Sequence, residues 1–364
     1  MTTRCSPRIT LSSSFGVRGA RLLWPFYERG IPEKDCEACQ YVSAMREPNF
    51  FLVGAPKAGS TSLYYHLRQH PDIYMSPMKE PFYFCSDFRP ENYSPSFKTQ
   101  ALDGIERTQR YLHGPMDEIV GGGMVCDWED YLRLFAAAGT QRAVGEASVC
   151  YMVSQTAAGA IATRCPHAKI LMVLRSPADR AFSQYLHIFS GGHVTGSFQQ
   201  YVKACLRHSG EGFGLHEPFL EMGFYAAQVQ RYLHHFPRNQ IGIWIYEEHL
   251  ADPREFLRQI YRFLEVDESF QPDTSTRYHQ PRVPKVAAFA RALQWARMTS
   301  FSRKVLPPPI RGGLRSLFLR DVFYRSPGAV TMSAADRALM HEFYAGDVRK
   351  LETILNRDLS GWLV

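Results

Sequence analysis

The sequence predicts an α/β domain built as a three-layer sandwich, with a central parallel sheet flanked by helices. Three observations lead there. Short, continuously apolar runs recur along the chain, as in strands buried on both faces. Segments with helical spacing of apolar residues follow them, so that strand and helix alternate. At 364 residues, with 45% hydrophobic and 21% charged residues, the chain has an ordinary globular composition and the length to bury a large core.

In chain order, residues 1–48 show no sustained period and read as an N-terminal extension, leaving 49–364 as one domain. Phe50-Phe51-Leu52-Val53, closed by Gly54, reads as a buried strand, and a helix is predicted from Ser60 to His70, where Pro71 stops it. Residues 86–125 are rich in Pro, Gly, Asn and Ser and include Gly121-Gly122-Gly123, which predicts an excursion over the surface. Its outer bound, residue 140, takes in Trp128–Ala138, where helical spacing returns. Strands are predicted at Arg142–Glu146 and at Lys169–Leu174, the latter ending at Arg175, with Pro177 suited to the first turn of a following helix. Gly223–Phe236 reads as a helix, Ile241–Tyr246 as a strand, and Pro253–Leu264 as a helix capped by Asp252. Ser333–Leu355 is predicted to dock on the core as a last helix. In such a sheet, ligands are expected at the carboxyl ends of the strands.

The formal net charge of +7, from 42 Lys and Arg against 35 Asp and Glu, suits a polyanionic ligand of nucleotide size. Much of it lies in a basic segment, 282–330. From Arg282 to Arg325 ten basic residues face a single acid, Asp321, with Trp295, Phe301, Leu306, Leu317 and Phe318 interleaved. Grip on a nucleotide, attraction of an anionic saccharide, peripheral contact with a membrane surface and a merely solvated face all fit that stretch. Nucleic acid is not expected, because no binding motif accompanies the charge. The eight cysteines are scattered and only Cys36-x-x-Cys39 has metal or redox spacing, with no second pair beside it, so free thiols and no metal are expected. No run approaches the roughly 18 apolar residues of a membrane-spanning helix, and no secretory apolar core stands near the N-terminus, so a cytoplasmic location is the default expectation. The oligomeric state has no signature in the sequence.

Gly54-Ala55-Pro56-Lys57-Ala58-Gly59-Ser60-Thr61-Ser62 lies between a predicted strand and a predicted helix, the setting a phosphate-binding loop requires. Backbone N–H groups and the helix N-terminus face an anion there, small residues let it approach, and the three hydroxyls add donors. In the Walker A arrangement the Lys directly follows the second Gly; here that place is Ser60 and the Lys stands at position 57. The shift disfavours a kinase or ATPase and fits a donor with one phosphate bonded to one sulfuryl group. A second such site follows the Lys169–Leu174 strand. Arg175 emerges at its end, and Ser183, eight residues on, lies about two helical turns into the next element, so both can converge on a phosphate. Arg180 reads as a solvent-facing or ion-paired helix residue.

Together these motifs resemble the PAPS-dependent sulfotransferase family, especially its carbohydrate, heparan-type and bacterial branches. Pro56–Ser62 is similar to the family's 5′-phosphosulfate loop, and Arg175–Ser183 to its 3′-phosphate motif. Lys79-Glu80-Pro81-Phe82-Tyr83-Phe84, Gly145-Glu146-Ala147-Ser148, Phe263-Leu264-Glu265-Val266 and Arg357–Trp362 extend the likeness over residues 50–364. The resemblance implies a P-loop-type fold and transfer of a sulfuryl group from 3′-phosphoadenosine 5′-phosphosulfate to a hydroxyl or amine of a small-molecule or saccharide acceptor, without a metal. It implies Glu80, ahead of its aromatic residues, as the base, and Lys57 as the stabiliser of the departing phosphate. Lys57, Ala58, Gly59, Ser60, Thr61, Ser62, Arg175 and Ser183, with Arg282 and Lys285 in the late nucleotide loop, are the implied donor-binding set. The alternative for Glu80 is a surface carboxylate paired with Lys79. His66, His187 and His279 rank below it as bases. The chain departs from heparan-type relatives at Ala147, where Lys is frequent, and in Tyr278–Lys285, which is poorer in Lys, Gly and Arg. A P-loop kinase or NTPase and a non-catalytic nucleotide-binding module are the rival readings, separated by Mg²⁺-dependent ATP turnover and by the intact Lys57 and Glu80.

Overall fold

A computed structural model describes residues 46–190, 193–194, 196–208, 210, 212–214, 216, 218–274, 283–284, 324–325 and 330–364. The N-terminal extension with Cys36 and Cys39, and nearly all of the basic segment, including Arg282 and Lys285, lie outside the described residues, as does His279.

The centre of the molecule is a five-stranded sheet, parallel throughout. Its strands are β1 (Phe50–Gly54), β2 (Ile73–Met75), β5 (Ala143–Ala147), β6 (Lys169–Leu174) and β7 (Ile241–Ile245), in the spatial order β2-β5-β1-β6-β7. A second, two-stranded parallel pair joins β3 (Met78–Lys79) to β4 (Val120–Gly121). Phe50, Phe51, Leu52 and Val53 have no exposed surface, nor do Ile170, Leu171, Met172 and Leu174. Burial on both faces is why these strands read as unbroken apolar runs, and each such side chain contributes roughly 1.5–3 kcal/mol of transfer free energy. β1 is central. The chain first builds to one side of it and then, from β6, to the other, so the loop after β1 stands at the topological switch point where ligands bind such sheets.

The helices follow the expected alternation: α1 (Ser60–Gln69), α2 (Pro95–Leu112), α3 (Trp128–Arg133), α4 (Ala157–Arg164), α5 (Pro177–Ser190), α6 (Phe198–Arg207), α7 (Tyr225–His235), α8 (Tyr246–Ala251), α9 (Pro253–Leu264) and α10 (Ala334–Leu355). Asp252 caps α9 as predicted, accepting from the N–H groups of Arg254 and Glu255. Ser333 caps α10, which packs on α5 and α7.

Between residues 86 and 125 the structure adds order to the expected surface excursion: Phe88, Leu112 and Val125 are buried in the core, and α2 runs for 18 residues with most of its side chains exposed or partly exposed. Its inward face carries Ala101, Thr108 and Leu112. The Thr108 hydroxyl donates to the Gly104 carbonyl and accepts from the Met124 N–H. A buried face made partly of a small and a hydroxyl residue produces a weak apolar period, which Pro and Gly on either side then obscure. The triple glycine is likewise ordered, since Gly121 belongs to β4.

Candidate functional site

The loop from β1 into α1 has the geometry of an anion nest. The Ala55 N–H bonds to the Val173 carbonyl at 2.7 Å, tying the loop to β6, and Ala58 N–H closes a tight turn onto the Ala55 carbonyl. Lys57 (φ 67°) and Gly59 (φ 82°) both adopt left-handed backbone, which turns successive N–H groups inward. For Lys57 that conformation is strained, a feature that clusters at functional sites. Gly59 has a second requirement: a Cβ there would come within 2.7 Å of the Tyr246 ring. Gly59 is also the N-cap of α1 and supplies no capping side chain, so the first N–H groups of α1, with the hydroxyls of Ser60, Thr61 and Ser62, are presented to a ligand. Ala58 and Ser60 are buried, while Thr61 and Ser62 are partly exposed.

Arg175 arrives at the same place from β6. Its Nη1 donates to the Lys57 carbonyl at 3.1 Å, and its guanidinium lies 5.0 Å from the centroid of the Tyr246 ring. The next residue, Ser176, donates its N–H to Glu247 Oε1 at 3.1 Å, so the first turn of α8 braces the turn after β6. Ser183 stands partly exposed in the second turn of α5. The two sequence-predicted cradles are therefore contiguous. Tyr246 packs against both, and sequence reasoning missed it, since a single Tyr closing a strand has no motif of its own.

Charge accumulates here. Burial, and then the positive charges of Arg175, Lys79 and Arg180, push the Lys57 ammonium down to about 8. A cluster of cations in a partly desolvated hollow favours a multiply charged anion. Arg180 overturns its sequence reading. It is fully buried, donates from Nη2 to the Phe219 carbonyl at 2.6 Å and lies over the Phe219 ring. Its place on the α5 face turned toward Phe219 and α10 explains the burial, which spacing along α5 alone does not reveal.

Glu80 sits in the segment between β3 and the aromatic residues, again with left-handed backbone (φ 66°). Its N–H donates to the Ala147 carbonyl at 2.9 Å, its carbonyl accepts from Gly123 N–H at 2.8 Å, and Oε2 accepts from Val149 N–H at 2.9 Å. Oε1 pairs with Lys79 Nζ. The pairing with Lys79 expected of a surface carboxylate is thus present, but it is not on the surface, both side chains being only 13% exposed. Behind Glu80 lies an aromatic wall: Tyr83 stacks on Tyr131 (4.7 Å between centroids), and Phe84 meets Phe51, Tyr131 and Tyr151 edge-on. Beneath it Glu146 is wholly buried and accepts from Tyr131, Tyr151 and Ser148 hydroxyls at 3.0, 2.6 and 2.7 Å. Burial lifts its carboxyl to about 7, with the three hydroxyls opposing the rise.

Of the histidines, His66 is buried in α1 and held below its ordinary range by desolvation, and His187 is exposed on α5. Cys85, Cys126, Cys150, Cys165 and Cys205 are free thiols, and among the described residues no group of three or more His, Cys, Asp or Glu is placed to hold a metal ion. No helix among the described residues is long and apolar enough to cross a membrane.

Comparison with known proteins places this arrangement. Residues 48–272 match the sequence model of the Sulfotransferase family. The chain is similar to the human bifunctional heparan sulfate N-deacetylase/N-sulfotransferase 3, with 28% identity over 238 residues covering 64% of this chain and 23% of that protein. It is also similar to rat carbohydrate sulfotransferase 15, 24% identical over 260 residues, 60% of this chain and 44% of the relative. It therefore spans less than half the length of either. Among solved structures, a sulfotransferase from Alicyclobacillus acidocaldarius superposes with a TM-score of 0.63 and 31% identity, over 87% of this chain and 99% of that one.

Proposed function

This chain belongs to the sulfotransferase family, and from that premise we propose that it transfers a sulfuryl group from 3′-phosphoadenosine 5′-phosphosulfate to a hydroxyl or amine of a carbohydrate, or of a glycosylated or lipid metabolite. The observation that carries the reading is the hydrogen bond from Arg175 to the Lys57 carbonyl. It makes one continuous cationic hollow of the two strand-end turns, as a single nucleotide with phosphates at opposite ends requires. The names of the relatives, a heparan sulfate N-sulfotransferase and a carbohydrate sulfotransferase, support a saccharide acceptor.

In this reading the helix N-terminus of α1, with Ser60, Thr61, Ser62 and the small residues Ala58 and Gly59, holds the 5′-phosphosulfate, and Arg175 with Ser183 takes the 3′-phosphate. Arg282 and Lys285 join the donor-binding set through the family resemblance and add positive charge to it. Glu80 accepts the proton of the acceptor O–H or N–H as that atom forms its bond to sulfur. The bond from sulfur to the bridging phosphate oxygen breaks, its electron pair stays on that oxygen, and Lys57 and the loop N–H groups stabilise the charge. The products are the sulfated acceptor and 3′-phosphoadenosine 5′-phosphate. Most of the rate comes from in-line alignment and fixed charge, both of which a strained, braced loop supplies.

The test is transfer of label from ³⁵S-labelled donor to a panel of oligosaccharides and simple glycosides. Labelled sulfated product is the expected result; Mg²⁺-dependent ATP turnover with no sulfated product would overturn the reading.

A further inference from the structure

We infer that Glu146, acting through the hydroxyls of Ser148 and Tyr151, is the positioning residue for the loop that carries Glu80; the inference rests on the proposed role of Glu80 and adds a residue to it. Glu146 Oε1 takes the protons of Tyr131 and Tyr151, and Oε2 takes that of Ser148. A hydroxyl whose proton is committed inward has only lone pairs to offer outward. Those lone pairs meet the loop: Ser148 Oγ accepts from Phe82 N–H at 3.3 Å and Tyr151 Oη from Phe84 N–H at 3.4 Å. One buried carboxylate therefore sets the polarity of both acceptors.

The loop needs such a hold. Glu80 (φ 66°) and Phe82 (φ 56°) are both non-glycine residues in left-handed backbone, which persists only where the surroundings over-determine it. The same short stretch of chain supplies two further restraints, since the Ala147 carbonyl receives Glu80 N–H and Val149 N–H reaches Glu80 Oε2, while Gly123 and Val125 N–H groups hold the Glu80 and Pro81 carbonyls from the other side. A carboxylate with no exposed surface is costly to bury, and an apolar residue would fill the space at less cost. What the apolar residue would not do is orient three hydroxyls.

Amide hydrogen exchange over residues 78–88, affinity for 3′-phosphoadenosine 5′-phosphate and sulfuryl transfer would be followed in Ser148→Ala, Tyr151→Phe, the double variant, Glu146→Gln and Glu146→Leu. In the double variant exchange at residues 82–84 is expected to rise at least about tenfold, with exchange in α1 unchanged. Turnover falls at least about tenfold while nucleotide affinity stays within about twofold. Glu146→Gln, which keeps a carbonyl acceptor, is expected to be milder than Glu146→Leu. Unchanged exchange at residues 82–84, or nucleotide affinity lost in proportion to turnover, would overturn the inference. Failure of the wild-type protein to bind the nucleotide or to transfer sulfuryl would instead sink the proposed function, while exchange still decides whether the tether exists.

Discussion

The proposed nucleotide cradle and the Glu80 loop are held by different means. The cradle is built on two strand-to-helix turns of one parallel sheet, Gly54–Ser62 and Leu174–Pro177, joined by the bond from Arg175 to the Lys57 carbonyl. The Glu80 loop leaves the main sheet and is suspended from β5 and the residues after it by backbone bonds and two hydroxyls. Main-chain sites are rigid because the sheet is rigid. A side-chain scaffold can hold a carboxylate where no regular element passes, at the cost of burying polar groups that must all be satisfied. The difference implies separable failures: damage to the cradle weakens nucleotide binding, whereas damage to the loop spares binding and removes chemistry.

The sharpest break between the two is Glu80→Gln. Loss of a general base predicts a fall in kcat of about 10²–10⁴-fold, with nucleotide affinity within about twofold of wild type by calorimetry. Parallel losses in both would erase the distinction. On the other side, Lys57→Ala removes a charge-assisted contact worth about 1.5–3 kcal/mol, so affinity for 3′-phosphoadenosine 5′-phosphate should fall by about 10–100-fold. Arg175→Lys keeps the charge but loses the planar fork and its bond to the Lys57 carbonyl; about a tenfold weakening is expected in the same titration.

A smaller, graded effect comes from pH. The Lys57 ammonium titrates at about 8 in the free protein. The protonated form is the one that binds an anion, so affinity should be full below about pH 8 and decline by up to about tenfold per unit above it. Because a bound anion favours the charged form, nucleotide binding near pH 8.5 should take up protons. Calorimetry in buffers of different ionisation enthalpy measures this, and proton release on binding would have the wrong sign.

The same contrast explains what could be read from the sequence. A main-chain anion site has a local signature, an apolar run followed by small residues and hydroxyls, so Gly54–Ser62 and the Lys169–Leu174 strand with Arg175 were legible, as was α9 behind Asp252. The contacts that complete the site are not local. Arg175 meets Lys57 across 118 residues, and Phe82 and Phe84 meet Ser148 and Tyr151 across 66 and 67. Tyr246 belongs to no pattern until the sheet brings it in. The proposed role of Glu80 rests on the family resemblance and has no local signature. The edge strand Ile73–Met75 is too short to show a period between Pro71 and Pro77, and Arg180 gave no sign of burial because Arg is ordinarily exposed.

Arg175 and the Lys57 loop are proposed to grip opposite phosphates of one nucleotide. Calorimetric affinities of the wild-type protein and of Arg175→Ala for 3′-phosphoadenosine 5′-phosphate and for adenosine 5′-phosphate test it most directly. The wild type should prefer the nucleotide bearing the 3′-phosphate by at least about tenfold, and Arg175→Ala should abolish that preference while binding adenosine 5′-phosphate as before. A preference that survives loss of Arg175 unchanged, or was never present, would contradict the account.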